Sequence, residues 1–212
     1  LIREPEEEAK AFWQSRSVAF QQQLMTTSSL QARQSFRSKS IPLCKVAGEA
    51  YHHWKQSNGD LREALLCRFV DYLMAFADQE ITLGYTSFER AYEELYDTLG
   101  KVNKIVPLHF QKSDQSLEWK ERLQQQKQQI EQVNAWADYF SLKRDQFAPD
   151  AALPFFEYLF EFVDLSKEKN QSFQLTDIIE VQDVYDLKLQ VVDYGDGLCI
   201  HLQYNEGAFR AK

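Results

Sequence analysis

Apolar residues recur at intervals of three and four over most of the chain, which predicts a succession of amphipathic helices. Ala9, Phe12, Trp13, Phe20 and Leu24 fall near one face of a first helix. Pro5 suits its opening position, and Glu6 to Glu8 sit where the helix dipole favours negative charge. Thr26 to Ser29 end it and cap a second helix, which bends or restarts near Pro42 and carries Leu43, Ala47, Ala50, Tyr51 and Trp54. Ser57 to Gly59 form a stop signal. Asp60, three residues before Glu63, approximates a capping box for a helix marked by Leu61, Leu65, Phe69, Leu73, Phe76 and Ala77, with Gly84 as its break. Thr86 and Glu89 open a further helix that runs to Leu99 and a cap at Gly100. The longest periodic segment is Gln115 to Gln146, where Trp119, Leu123, Ile130, Val133, Ala137 and Phe140 keep 4-3 spacing and Gln126 is the polar exception. Its about 30 residues would span about 45 Å, and we read it as the spine of a bundle rather than a coiled-coil arm. Residues 151–169 are apolar almost all round and read as the most buried helix.

The period changes near the C-terminal end. Tyr185, Leu187, Leu189 and Val191 alternate, as do Leu198, Ile200, Leu202 and Tyr204, around the turn sequence Asp193 to Gly197. That predicts a β-hairpin, with Phe173 to Val184 as the source of a third strand. Lys101 to Phe110 reads as a short edge strand or a loop, because Pro107 bars it from a central position. The expected fold is therefore mainly α. It is a multi-helix bundle of about six helices over residues 1–170, with a C-terminal β-hairpin or small antiparallel sheet over 171–212 packed on it as one structural domain.

Composition narrows the function classes. Of the 212 residues, 44% are hydrophobic and 14% aromatic, enough for a packed core. The seven glycines form none of the patterns GxGxxG, GxxxxGK[ST] or GxSxG, which argues against a phosphate-cradling loop or a nucleophile elbow. Cys44, Cys67 and Cys199 are too few and too scattered for a disulfide framework and contain no CxxC, so a reducing compartment such as the cytoplasm is expected. The most apolar run, Ala152 to Leu165, is interrupted by Glu157, Glu161 and Asp164 and is shorter than the ~20 residues a bilayer requires. The first residue is Leu1, which leaves a removed signal peptide open.

Candidate chemistry is sparse. Glu49 and His53, four apart, share a helix face, but His52 projects about 100° away and no HExxH motif completes a metal site. Cys199 and His201 share one strand face, opposite Leu198, Ile200 and Leu202, with no orienting third group. Asp193 and Asp196 flank a glycine turn without EF-hand spacing. No catalytic set, metal or cofactor is expected.

Charge layout carries more. Residues 9–48 hold Lys10, Arg16, Arg33, Arg37, Lys39 and Lys45 and no acid, whereas residues 49–212 hold 28 acidic and 17 basic residues in a chain of net charge -8. The basic segment reads as the complement of an acidic surface. The acidic C-terminal region fits attraction of a basic protein partner. The expected function is a non-catalytic acidic protein-binding module, most specifically an immunity or antitoxin-type inhibitor of a basic effector. Asp183, Asp186, Asp193 and Asp196 would steer the partner, and Tyr185, Tyr194 and Tyr204 would anchor it. The alternatives are a helical enzyme with a site near Glu49, His52 and His53, and a nucleic-acid adaptor using residues 9–48.

Overall fold

The computed structural model describes residues 7–16, 38–77, 80–87, 104–111, 117–140, 155–166 and 184–207. These residues form six strands and four α-helices. In chain order they are α1 (7–16), β1 (Ser38–Ala47), α2 (Glu49–Asn58), α3 (Leu61–Met74), β2 (Glu80–Ser87), β3 (Lys104–Gln111), α4 (Trp119–Trp136) with a 3-10 turn at Ala137–Tyr139, β4 (Phe155–Asp164), β5 (Val184–Asp193) and β6 (Gly197–Asn205). The chain divides into two compact units, one of residues 1–29 and 67–154, the other of residues 30–66 and 155–212.

The second unit is built on a four-stranded sheet in which β1 pairs with β6, β6 with β5, and β5 with β4. β4 and β5 are parallel and the other two pairings antiparallel, so the sheet is mixed. The hairpin read from the alternation is β5–β6. Leu189 faces Leu202, Val191 faces Ile200, and the turn is closed by a hydrogen bond from the Tyr194 N–H to the Gly197 carbonyl (2.9 Å). Gly195 takes φ 84°, a left-handed conformation that a side chain resists, and its N–H is received by Asp193 Oδ1 at 2.8 Å. A Cβ on Gly197 would lie 2.8 Å from the Val46 carbonyl oxygen of β1, so glycine sets the close approach of the edge strand.

The mainly α bundle does not hold, and two segments explain most of the correction. Residues 151–169 were expected as a buried helix, but Phe155–Asp164 is the strand β4. A strand covered on both faces has no polar side to alternate with, so it reads as a continuous apolar run. Phe156, Leu159, Phe160 and Phe162 are all buried, each worth roughly 1.5–3 kcal/mol relative to exposure. The segment around Pro42 was expected to be helical, but Ser38–Ala47 is the strand β1, exposed along almost all its length. Its pairing with β6 shifts register between Pro42 and Cys44, so a bulge absorbs the proline. Pro42, the bulge and the lysines Lys39 and Lys45 are devices that discourage further pairing along an edge.

The first unit contains a β2–β3 hairpin-like pair, antiparallel from Glu80–Gln111 to Ser87–Lys104. Gly84, expected to break a helix, sits inside β2 opposite Pro107 of β3. Thr86, expected to open a helix, is in β2, and the rest of that helix lies outside the described residues. Of the two readings for Lys101 to Phe110, the strand is the observed one, from Lys104. Helix α1 buries Ala9 and Trp13, and the Trp13 indole N–H donates to the Trp136 carbonyl at 2.9 Å. The Trp13 and Phe140 rings lie 4.7 Å apart, so α1 is anchored to the end of α4. Helix α4 occupies the middle of the long periodic segment and buries Gln126, Ile130 and Val133. The proposed strand at Phe173 to Val184 lies outside the described residues up to 183.

Candidate functional site

In the second unit, two polar clusters stand on opposite faces of the same sheet. The first lies within β4, β5 and β6. Leu159, Glu161 and Val163 of β4 share a face with Lys188, Gln190 and Val192 of β5 and with Cys199, His201 and Gln203 of β6. The Lys188 ammonium is fully buried and lies 2.8 Å from Glu161 Oε2. The same carboxylate oxygen receives Gln190 Nε2 at 2.8 Å, Gln190 Oε1 receives Gln203 Nε2 at 3.1 Å, and Gln203 Oε1 receives the Tyr185 hydroxyl at 2.7 Å. Every donor in the line points toward Glu161. A line of hydrogen bonds with one direction polarises each member, and in a low dielectric that strengthens all of them.

The second cluster is at the C-terminal ends of the parallel strands, where Asp164 and Asp193 are register partners. Helix α2 supplies Tyr51 and Lys55, one turn apart. The Tyr51 hydroxyl donates to Asp193 (2.9 Å to Oδ1) and receives Lys55 Nζ at 2.9 Å. Lys55 Nζ also lies 3.9 Å from Asp193 Oδ2. Burial raises the Tyr51 phenol above its ordinary value, with the Lys55 hydrogen bond pulling the other way. Lys55 is raised in turn, first by its bond to Tyr51 and then by the charges of Asp193 and Asp164. The ends of parallel strands are where open sheets place ligands.

A third line, in the first unit, sets Thr82 Oγ1 3.0 Å from His109 Nδ1 and Glu80 Oε2 3.5 Å from His109 Nε2. Thr82 is buried, so this hydroxyl–imidazole–carboxylate order braces the β2–β3 pair rather than presenting a nucleophile.

The residues expected to meet a partner are dispersed by these clusters. Asp193 is buried and bonded within the second of them. Tyr185 is buried at the start of the first. Asp186 is half-buried and receives Asn205 Nδ2 at 3.2 Å, and Tyr204 is half-buried. Tyr194 and Asp196 are exposed together at the β5–β6 turn, and Asp183 lies outside the described residues. Glu49, His52 and His53 are exposed on α2, and no group of three His, Cys, Asp or Glu side chains suited to a metal occurs among the described residues. The sequence reading missed Glu161, Lys188, Gln190 and Gln203. The signal was present in the two glutamates of the most apolar run and in the lysine and glutamine interrupting an apolar alternation.

No family model matches the chain, and no curated protein matches it. Solved structures do. The NRPS cyclization–docking bidomain EpoB from Sorangium cellulosum aligns over 97% of this chain and 45% of its own at 12% identity, with a TM-score of 0.71. The starter condensation domain of rhizomide synthetase RzmA, as its R148A mutant, aligns over 99% of this chain and 47% of its own at 15% identity and TM-score 0.63. The X-domain from teicoplanin biosynthesis aligns over 98% and 51% at 12% identity and TM-score 0.60. The fold is that of the condensation domains, and the chain spans about half the length of the solved structures it matches. This likeness overturns the immunity or antitoxin-type inhibitor, and with it the helical-bundle setting of the enzyme alternative; the basic segment of the nucleic-acid alternative lies partly outside the described residues. The physical reason is that the described aspartates do not form one surface: Asp193 is buried, Asp186 is half-buried on β5, and Asp196 is exposed at the β5–β6 turn. One of the matched domains, the teicoplanin X-domain, forms a complex with OxyB. No helix among the described residues is long and apolar enough to cross a membrane.

Proposed function

We propose that this chain is a condensation-domain-like module of a peptide-synthetase type of assembly and that it engages a protein partner, as the teicoplanin X-domain engages OxyB. The observation that carries the reading is the alignment of nearly the whole chain with condensation, cyclization, epimerization and X-domains. The β5–β6 turn is the proposed contact. Tyr194 and Asp196 are exposed there on a turn tied by hydrogen bonds from the Gly195 N–H to Asp193 Oδ1 (2.8 Å) and from the Gly48 N–H to the Asp196 carbonyl (3.3 Å). An exposed aromatic on a hydrogen-bonded turn loses less entropy on docking than one on an untethered loop, which favours it as an anchor.

The test is cross-linking of the full chain in the cells that make it, with the linked peptides mapped by mass spectrometry. The expected result is cross-links to a synthetase or to an enzyme acting on its product, lost when Tyr194→Ala and Asp196→Ala are combined. Cross-links only to proteins outside peptide assembly would overturn the function. Cross-links to a synthetase that survive the double change would keep the function and remove the turn as its contact.

A further inference from the structure

We propose that the glutamine-lined cavity on α4 is a binding subsite for a peptide amide. The cavity has a volume of about 250 Å³ and, among the described residues, is lined by Arg122, Gln125, Gln126, Gln128, Gln129 and Gln132. Positions 122, 125, 126, 129 and 132 follow the three-and-four spacing that aligns residues along one stripe of a helix. Gln126 belongs at once to this stripe and to the buried stripe of Ile130 and Val133. It is 7% exposed, and its Oε1 has no hydrogen-bond partner among the described residues.

A buried amide oxygen left unpaired costs about 1–3 kcal/mol. Leucine would fill the same position without that cost, so the glutamine needs a reason, and a donor arriving from the cavity supplies one. The neighbouring polar groups define that donor. Gln129 Nε2 is committed to the His109 carbonyl, and the Arg122 guanidinium to Asp71 (3.3 Å). The glutamines themselves carry no charge. The complement is therefore a neutral group with a donor and an acceptor side by side, which is an amide. Either orientation of the Gln126 side chain is met by such a group, because a peptide unit offers both N–H and C=O. The volume lies below the roughly 300–1,000 Å³ of sites for drug-sized ligands, which limits the occupant to a short stretch of peptide. Several waters are the competing occupant, since the cavity is polar and roomy enough for them. The site rests on the geometry of α4 alone and is independent of the partner reading above.

The experiment is a titration of the ¹⁵N-labelled full chain with N-acetyl-alanyl-alaninamide, following the glutamine side-chain NH2 resonances. An analogue with the central amide replaced by an ester is the control. Saturable shifts confined to the α4 glutamines are expected, with the ester about tenfold weaker for its lost donor. Gln126→Leu should lose the binding while keeping or raising Tm. Gln126→Met, which keeps the side-chain length and has no amide, should lose it too and serves if the leucine variant does not fold. Absence of saturable shifts, equal binding of the ester, or undiminished binding by either variant would overturn the proposal. A fall in Tm for Gln126→Leu with no response to the peptide assigns the cavity to water and overturns it as well.

Discussion

The interior of the four-stranded sheet and its rim use the same chemistry, a lysine beside a carboxylate, under different solvation. Lys188 and Glu161 meet at 2.8 Å with both side chains nearly or fully out of water. Lys55 and Asp193 stand 3.9 Å apart, with the lysine half in solvent and the aspartate buried. In the interior neither ion can exchange its partner for water, so the pair is closed and its worth lies in the cost of breaking it. At the rim the lysine can leave, and what fixes the aspartate is the Tyr51 hydroxyl. The inner cluster is thus an all-or-none device, and the rim cluster an adjustable one at the mouth of the parallel strands.

Breaking the inner pair should have the largest effect. Lys188→Met leaves a buried carboxylate with its amide donors and no cation, and is expected to cost about 3–5 kcal/mol, read as a lower urea midpoint at unchanged slope. Lys188→Met combined with Glu161→Leu removes both charges and should recover most of that loss. If the double variant is as unstable as the single one, the cost lies in packing around the stem of Lys188 and not in the charge.

The same inner cluster shows where sequence reasoning stopped. The hairpin was legible because β5 and β6 alternate and Gly195 marks their turn. The helices α2 and α3 were legible from spacing, and α3 also from Asp60, whose Oδ1 receives the Arg62 N–H at 2.9 Å. β4 was not, because burial on both faces erases alternation and Glu157 and Glu161, four apart, imitate a helix face. β2 was hidden by Gly84, a residue that ends helices but is tolerated where a strand faces a proline. The charged interior was invisible for a related reason. Alternation tells which residues share a face and not what covers it, so it marks Cys199 and His201 as sharing one face of β6 and says nothing of the buried Lys188 and Gln190 beside them. Of the expected partner residues, Asp193 proved to be the anchor of the rim cluster, a role that requires the partner Tyr51, 142 positions away.

Tyr51→Phe sharpens the comparison at the rim. It removes the hydroxyl while leaving the ring, and Asp193 keeps its bond from the Gly195 N–H and its ion pair with Lys55. The expected loss is about 1–3 kcal/mol, less than for Lys188→Met. The variant also changes the pH dependence. Tyr51 and Lys55 both have folded-state values raised above their unfolded ones. The stability each adds is full below the unfolded value, near 10, and is lost as pH rises through the folded value. Tm measured from pH 8 to 11 should therefore fall more steeply in the parent than in Tyr51→Phe. Parallel curves would show that the hydroxyl is not coupled to the protonation of this cluster.

The smallest effect is expected where the comparison is carried fully into solvent. Lys39 of β1 lies 3.6 Å from Glu206, and both side chains are about half exposed, at 57% and 46%. Water screens such a pair and the long side chains lose entropy in making it, so Lys39→Ala should change stability by less than about 1 kcal/mol. Its role is at the strand edge. Lys39, Lys45, Pro42 and the bulge lie on a strand whose Ile41 and Leu43 are 42% and 53% exposed. Removing charge there should favour pairing of β1 with a second copy. Lys39→Ala combined with Lys45→Ala is expected to leave Tm within a few degrees while increasing self-association in sedimentation velocity, most clearly at high protein concentration. If the double variant stays as monodisperse as the parent, the bulge and Pro42 protect this edge without help from charge.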